Sequence, residues 1–317
     1  MVVTHGHLPR TAARAAAGHA VTVGNFDGVH RGHRAMLDRL VRVARERRLA
    51  SCVLTFEPHP REFFAPAGAP SRLARLREKL ELIAEAGVDR VHVLRFGAAL
   101  AGMAPERFAT QVLAGGVGAR WLLVGEDFRY GAKRAGDFAQ LLAAGAKLGF
   151  EVEAMVDVTE AGQRVSSSAV REALAAGDFA RAERLLGRRY TMSGRVAHGE
   201  KLGLQLGFPT ANIVLRRKSP LAGIFVVEAE LEETRQKLKG VASVGRRPTV
   251  KEGAAPLLEV HLFDFAGDLY GRHLRVAFLA KLRDEKKYGG LPALREAIED
   301  DAARAREWFS RIDQHHG

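Results

Sequence analysis

The hydrophobic pattern of the chain changes character once, near residue 187. Before that point, short apolar or β-branched runs alternate with stretches whose apolar residues recur three and four positions apart. Runs at 20–23, 51–56, 90–95, 120–124 and 151–158 predict strands. After the first, Met36, Leu37, Leu40, Val41 and Ala44 recur at helical spacing, with arginines on the other face. Ser71 is expected to cap a helix carrying Leu73, Leu76, Leu80 and Ile83 and stopping at Gly87. Pro105 opens another helix and Asp137 caps a third; two more start at Ser167 or Ser168 and at Asp178. Five strands with helices between them predict an α/β fold. Its core is a doubly wound parallel sheet, which binds ligands at the carboxyl ends of its strands.

Beyond Leu-Leu-Gly-Arg-Arg at 185–189 no long helical period appears until a final helix at about 291–312, starting near Pro292. Short β-rich runs at 224–230, 240–244, 257–263 and 274–279, parted by Gly, Pro and charged turns, predict a small antiparallel β-barrel. The expected division is therefore 1–187 and 188–317, and 317 residues suffice for two cores. The first residues lack a signal-peptide core and read as a ragged terminus.

Composition narrows the function. At 47% hydrophobic and 27% charged the chain is of globular type, and no apolar stretch reaches the length of a membrane span. The single cysteine, Cys52, can form no internal disulfide, which suits a reducing cytoplasm. The net charge of +12 admits nucleic acid, an acidic surface or small polyanions as partners. The basic residues are scattered over helix faces (Arg39, Arg42, Arg45, Arg47, Arg48) and loops (Arg216, Arg217, Lys218). Aromatic residues, 7% of the chain, are not interleaved with them as a stacking platform needs. Small polyanionic substrates are favoured over nucleic acid.

The most informative stretch is 21–33, Val-Thr-Val-Gly-Asn-Phe-Asp-Gly-Val-His-Arg-Gly-His. A strand, a loop containing Gly24, Asn25, Phe26, Asp27 and Gly28, and a helix entrance make an anion site, because free N–H groups and the helix dipole both favour negative charge. His30 and His33 stand three apart on one side of that entrance and can donate to phosphate oxygens. Gly32 between them lets a ligand approach the backbone. Taken alone, His-x-Gly-His also fits class I aminoacyl-tRNA synthetases, but the chain has no Lys-Met-Ser-Lys-Ser-like segment.

Five further segments accompany this one: Thr55–Pro60 (TFEPHP), Val124–Gly131 (VGEDFRYG), Val165–Arg171 (VSSSAVR), Gly207–Asn212 (GFPTAN) and Leu257–His261 (LLEVH). In this order and spacing the chain resembles the bacterial bifunctional riboflavin kinase/FAD synthetases over nearly its whole length. The resemblance implies a Rossmann-like nucleotidyltransferase domain followed by a β-barrel kinase with a C-terminal helix. It implies phosphorylation of riboflavin to FMN by ATP and Mg²⁺, then adenylylation of FMN by ATP to FAD with release of pyrophosphate. The nucleophile of the second reaction is already an anion, so positioning and charge neutralisation matter more than a base.

Carried over position by position, the resemblance assigns His30, His33, Arg171, Ser166, Ser167 and the 24–28 loop with Gly32 to the ATP phosphates of adenylyl transfer. Phe56, Pro58, His59, Asp127, Phe128 and Arg129 are assigned to the flavin. In the second half it assigns Thr210 and Asn212 to Mg²⁺, Glu259 to the base, and Gly199, Lys201 and Gly203 to a flap over the nucleotide. The chain departs from the family pattern in four places. Leu204 stands where an arginine is common, Ser243 for asparagine, Phe225 for tyrosine and Ser168 for threonine. Leucine cannot contact phosphate, so an adenylyltransferase with an impaired kinase barrel is the first alternative. A basic nucleic-acid-binding protein is an alternative of a different class.

Overall fold

The structure is a computed structural model that describes residues 1–6, 18–199, 202–215, 217–245 and 256–315. Lys201 and Arg216 of the sequence reading lie outside the described residues. Contacts divide the chain into two units: Met1–Pro70 with Ala74–Ser166, and Ser71–Leu73 with Ser167–Gly317.

Among the described residues the main sheet of the first unit has six strands: β1 (Val2–Gly6), β2 (His19–Val23), β3 (Ala50–Glu57), β4 (Arg90–Arg95), β5 (Ala119–Gly125) and β6 (Glu151–Met155). All neighbours are parallel, in the order β1-β4-β3-β2-β5-β6, so the sheet is Rossmann-like. Four expected strands appear within two residues of their predicted ends. The fifth stops at Met155, and a short hairpin of Thr159–Glu160 with Gln163–Arg164 follows it.

Two expectations are corrected. The N-terminal residues were expected to be ragged, yet Val2–Gly6 pairs with β4 from Val2↔Arg90 to Gly6↔Leu94. The stretch is too short and exposed to show a pattern of its own. The helix expected to be capped by Ser71 instead begins at Leu76, with Arg75 at its N-cap and Glu78 closing back onto the Arg75 N–H at 2.6 Å. Ser71 offers its carbonyl to Arg171 Nε at 2.7 Å.

Helices α1 (Arg31–Glu46) and α2 (Leu76–Glu85) bury apolar residues in one core with β2 and β3, including Leu37, Leu40, Val53 and Ile83. A second core packs Val21, Leu54, Leu122 and Val124 against Phe108, Leu113 and Leu141. Asp137 caps α3 (Phe138–Leu148) as expected, accepting from Gln140 N at 2.9 Å.

The second unit holds α4 (Ser167–Ala175), α5 (Phe179–Leu186), six antiparallel strands and α6 (Leu291–His315). The strands are β7 (Thr191–Arg195), β8 (Ala211–Val214), β9 (Gly223–Leu231), β10 (Lys237–Gly245), β11 (Leu257–Leu262) and β12 (His273–Arg283), ordered β8-β11-β10-β9-β12-β7. A bridge between Ala197 and Asn212 links the two outer strands, closing the barrel. Apolar and polar positions alternate along β11, as a half-buried strand requires.

Candidate functional site

In the first unit, β2 is buried throughout and runs directly into the loop 24–30. The sheet order reverses between β2 and β5, so this loop stands at the switch point where open parallel sheets bind ligands. Phe26 (φ 49°), Gly28 (φ 80°) and Val29 (φ 41°) all adopt the left-handed region. A β-branched residue holds that conformation only where its surroundings impose it. Here Phe26 is fully buried, the Gly24 N–H donates to the Leu54 carbonyl at 3.0 Å, and buried Asp27 accepts from Ala74 N at 3.2 Å.

His30 caps α1 by accepting from the His33 N–H through Nδ1 at 3.3 Å. That role leaves the His30 proton on Nε2. The two imidazoles stack with centroids 3.7 Å apart and planes 19° from parallel, and the His33 ring also meets Phe26. A Cβ on Gly32 would stand 3.2 Å from the His30 ring and 3.6 Å from the Val165 carbonyl. Glycine therefore lets the ring lie against the helix start, and the strand leading to Ser166 passes over it.

Among the described residues, His33 Nδ1 is buried with no hydrogen-bond partner. Burial first, then His30 and Lys79, hold the His33 pKa well below its ordinary 6.5, so the ring is neutral at pH 7. A neutral imidazole beside the first-turn N–H groups of a helix suits an oxyanion.

Around this point the other predicted residues are distributed unevenly. Phe56 closes β3, and cis Pro58 leads to His59, which is 9% exposed and caps the short helix Pro60–Phe64 by accepting from Arg61 N at 3.1 Å. Phe63 and Phe64 on that helix meet the Phe96 ring, which also packs edge-on against Phe56. Asp127 pairs with Arg164 at 2.9 Å, and that guanidinium lowers its pKa. Arg129 pairs with Asp137 at 3.3 Å, and Phe128 stacks on Tyr130. Ser167 and Arg171 lie on α4 and belong by contacts to the second unit.

Sequence reasoning missed Phe63, Phe64, Phe96, Lys79 and Arg164. The Phe63-Phe64 doublet was a readable signal, since two adjacent aromatics cannot both face one core. So was Lys79, a cation on the apolar stripe of Leu76, Leu80 and Ile83.

The second unit contains a cavity of about 690 Å³ whose wall includes Thr210, Ser243, Glu259, His261 and Glu285. Register places Asn212 and Ser243 directly opposite Glu259 on its two neighbouring strands, so the three share one face. Asn212 is 6% exposed; its Nδ2 donates to the Thr210 carbonyl at 3.2 Å. Its Oδ1 is buried without a partner among the described residues.

The predicted glycines converge on this pair. A Cβ on Gly199 would lie 2.6 Å from the Asn212 amide, and one on Gly203 would lie 3.3 Å from Thr210 Oγ1. Leu204 is 60% exposed and Phe225 is buried against Phe278. Partial desolvation and the Glu259 carboxylate raise the Glu285 pKa.

Comparison with known proteins follows the same division. Residues 12–169 match the family described as FAD synthetase, and residues 186–309 match riboflavin kinase. A bifunctional riboflavin kinase/FMN adenylyltransferase of Pseudomonas fluorescens is 51% identical over 91% of this chain and 92% of its own length. The Escherichia coli K12 protein of the same description is 48% identical over 92% and 93%. A crystal structure described as a macrolide-efflux protein of Streptococcus pneumoniae is 27% identical, with a TM-score of 0.78 over 97% of this chain and 100% of that one. No described helix here is long and apolar enough to cross a membrane.

Proposed function

The chain belongs to the bifunctional riboflavin kinase/FMN adenylyltransferase family, and on that premise we propose which residues carry each reaction. The protein phosphorylates riboflavin with ATP to FMN, then joins FMN to the adenylyl group of a second ATP, giving FAD and pyrophosphate. We assign the second reaction to residues 1–187 and the first to 188–317. The matched segments, 12–169 and 186–309, support that division.

For adenylyl transfer, the carrying observation is the stacked His30–His33 pair at the start of α1 with His33 Nδ1 unpartnered. His30 Nε2–H, His33 and the first-turn amides hold the ATP phosphates and take up the charge that shifts toward pyrophosphate. Gly24–Gly28 and Gly32 give the phosphates access to the backbone, while Ser166, Ser167 and Arg171 add donors, Arg171 in the bidentate manner of a guanidinium. Phe56, Pro58 and His59, with exposed Phe63 and Phe64, offer the flavin ring an apolar aromatic surface. Asp127, Phe128 and Arg129 complete its environment.

For the kinase, Glu259 takes the proton of the riboflavin 5′-hydroxyl within the cavity. The donors nearby suit Mg²⁺: Thr210 and Asn212 are hard oxygens, and the Asn212 amide is oriented with Oδ1 unpartnered. Bound there with ATP, the ion would neutralise phosphate charge. Gly199 and Gly203 bring backbone against this pair, and we assign them, together with Lys201 of the sequence, to a flap over the nucleotide. A single cysteine with no partner for an internal disulfide suits a reducing compartment, and we place the protein in the cytoplasm; burial pushes the Cys52 thiol up to about 12, which leaves it inert.

Complementary variants test the assignment. His30→Ala and His33→Ala are expected to cut FAD formation by about two to four orders of magnitude while FMN formation stays at the wild-type level. Glu259→Gln is expected to do the reverse, lowering kinase kcat by about 10²–10⁴ and sparing FAD formation from supplied FMN. Chromatography of both flavins over time reads each variant. Equal loss of both activities would overturn the division.

A further inference from the structure

Lys79 is 1% exposed, and none of the assigned roles uses it. It sits on α2 between Leu76, Leu80 and Ile83, where an apolar side chain would pack without the cost of desolvating an ammonium. Its Nζ donates to Thr55 Oγ1 at 3.3 Å, and Thr55 Oγ1 donates to the carbonyl of Asn25 at 3.3 Å. Asn25 opens the strained turn of Phe26, Gly28 and Val29 that delivers His30 to the helix entrance. A buried ammonium is thus linked to the backbone of the loop by way of the Thr55 hydroxyl.

We propose that Lys79 is a positioning residue for adenylyl transfer: through Thr55 it fixes the Asn25 carbonyl, and with it the turn that sets His30 at the start of α1. The inference rests on the assignment of that entrance to ATP. His33 registers the Lys79 charge, since its pKa is lowered by burial, by His30 and by Lys79. The other charged group of the loop is Asp27, which is buried beside Phe26.

The test uses the full-length chain, whose kinase reports on the integrity of the preparation. Lys79→Met is expected to raise the KM for ATP in FAD formation about tenfold to a hundredfold, with kcat changed less and FMN formation unchanged. Histidine Cε1–H NMR should show His33 titrating at higher pH, because a neighbouring positive charge has gone. Thr55→Val, which keeps the charge and breaks the relay, is expected to raise the same KM without moving the His33 titration. Thr55→Ser should restore it.

If Lys79→Met fails to fold, the Thr55 pair decides. Overturning results are an unchanged KM for ATP in Thr55→Val, or an unchanged KM and His33 titration in folded Lys79→Met. His30→Ala, run alongside, separates the two readings: undiminished FAD formation there removes the site assignment itself, whereas its loss with a normal Lys79→Met removes only the role of Lys79.

Discussion

At the scale of the residue, the two proposed sites are built by opposite means. In the proposed adenylyl site two imidazoles are set locally: His30 is fixed by the cap it forms and His33 by the ring stacked on it. In the proposed kinase site the oxygens are set across strands, with Asn212, Glu259 and Ser243 in one register row. Leu204 belongs to neither. It is 60% exposed, on the short helix Leu202–Gln205, next to Gly203. An arginine there needs no repacking, and a charge-assisted phosphate contact contributes about 1.5–3 kcal/mol. Leu204→Arg is therefore expected to lower the KM for ATP in the kinase reaction by about tenfold or more, measured by initial rates of FMN formation. An unchanged KM would mean that position 204 faces water in the nucleotide complex too.

Elements matter through their ends. α1 presents its N-terminus to the proposed adenylyl site and its apolar side to the core, while α6 contributes a wall of the barrel cavity. Arg283 on β12 holds Asp301 on α6 by two bonds, Nε to Oδ1 at 2.8 Å and Nη2 to Oδ2 at 2.5 Å, with the Asp301 side chain 4% exposed. Both residues line the kinase cavity. Removing one partner of a buried pair leaves the other charge uncompensated, which costs about 3–5 kcal/mol in full burial. The Arg283 side chain is 17% exposed and also donates to the Asp284 carbonyl, so about 2–3 kcal/mol is the expected loss for Asp301→Ala. The same variant should raise the KM for riboflavin and leave FAD formation from FMN unaffected. Denaturant melts with parallel assays of the two reactions check both parts.

For the whole molecule, the question is where one half can be cut from the other. α5 packs Phe179 against Phe225 edge-on and stacks it over Phe278, both barrel residues buried to 1% exposure. Deleting such an aromatic contact costs about 3–5 kcal/mol. A fragment starting at Ser167 should therefore fold, melt cooperatively and convert riboflavin to FMN without forming FAD. A fragment starting at Gly187 should keep the kinase motifs but melt at a markedly lower denaturant concentration. Equal stability of the two fragments would show that α5 adds nothing to the barrel.

Much of this protein was legible in its sequence because the relevant forces are local. β-branched runs, helical spacing, the caps at Asp137 and Asp178 and the glycines of the 24–28 loop act over a few residues. Both architectures, and the family resemblance with them, could be read along the chain. What acts across long separations could not. Val2–Gly6 is a strand only because β4, about 90 residues on, supplies its hydrogen-bond partners. Ser71 carries good capping chemistry, yet the helix begins at Leu76, where Glu78 can close onto Arg75. The row Asn212–Glu259–Ser243 exists only through strand register, and Lys79 reaches a hydroxyl on a strand 24 residues away only because α2 docks on the sheet. The sequence determined which local shapes form and which side chains are available for chemistry. Tertiary pairing alone decided which of them meet, because contact between distant residues depends on how whole elements dock and not on the identity of their neighbours.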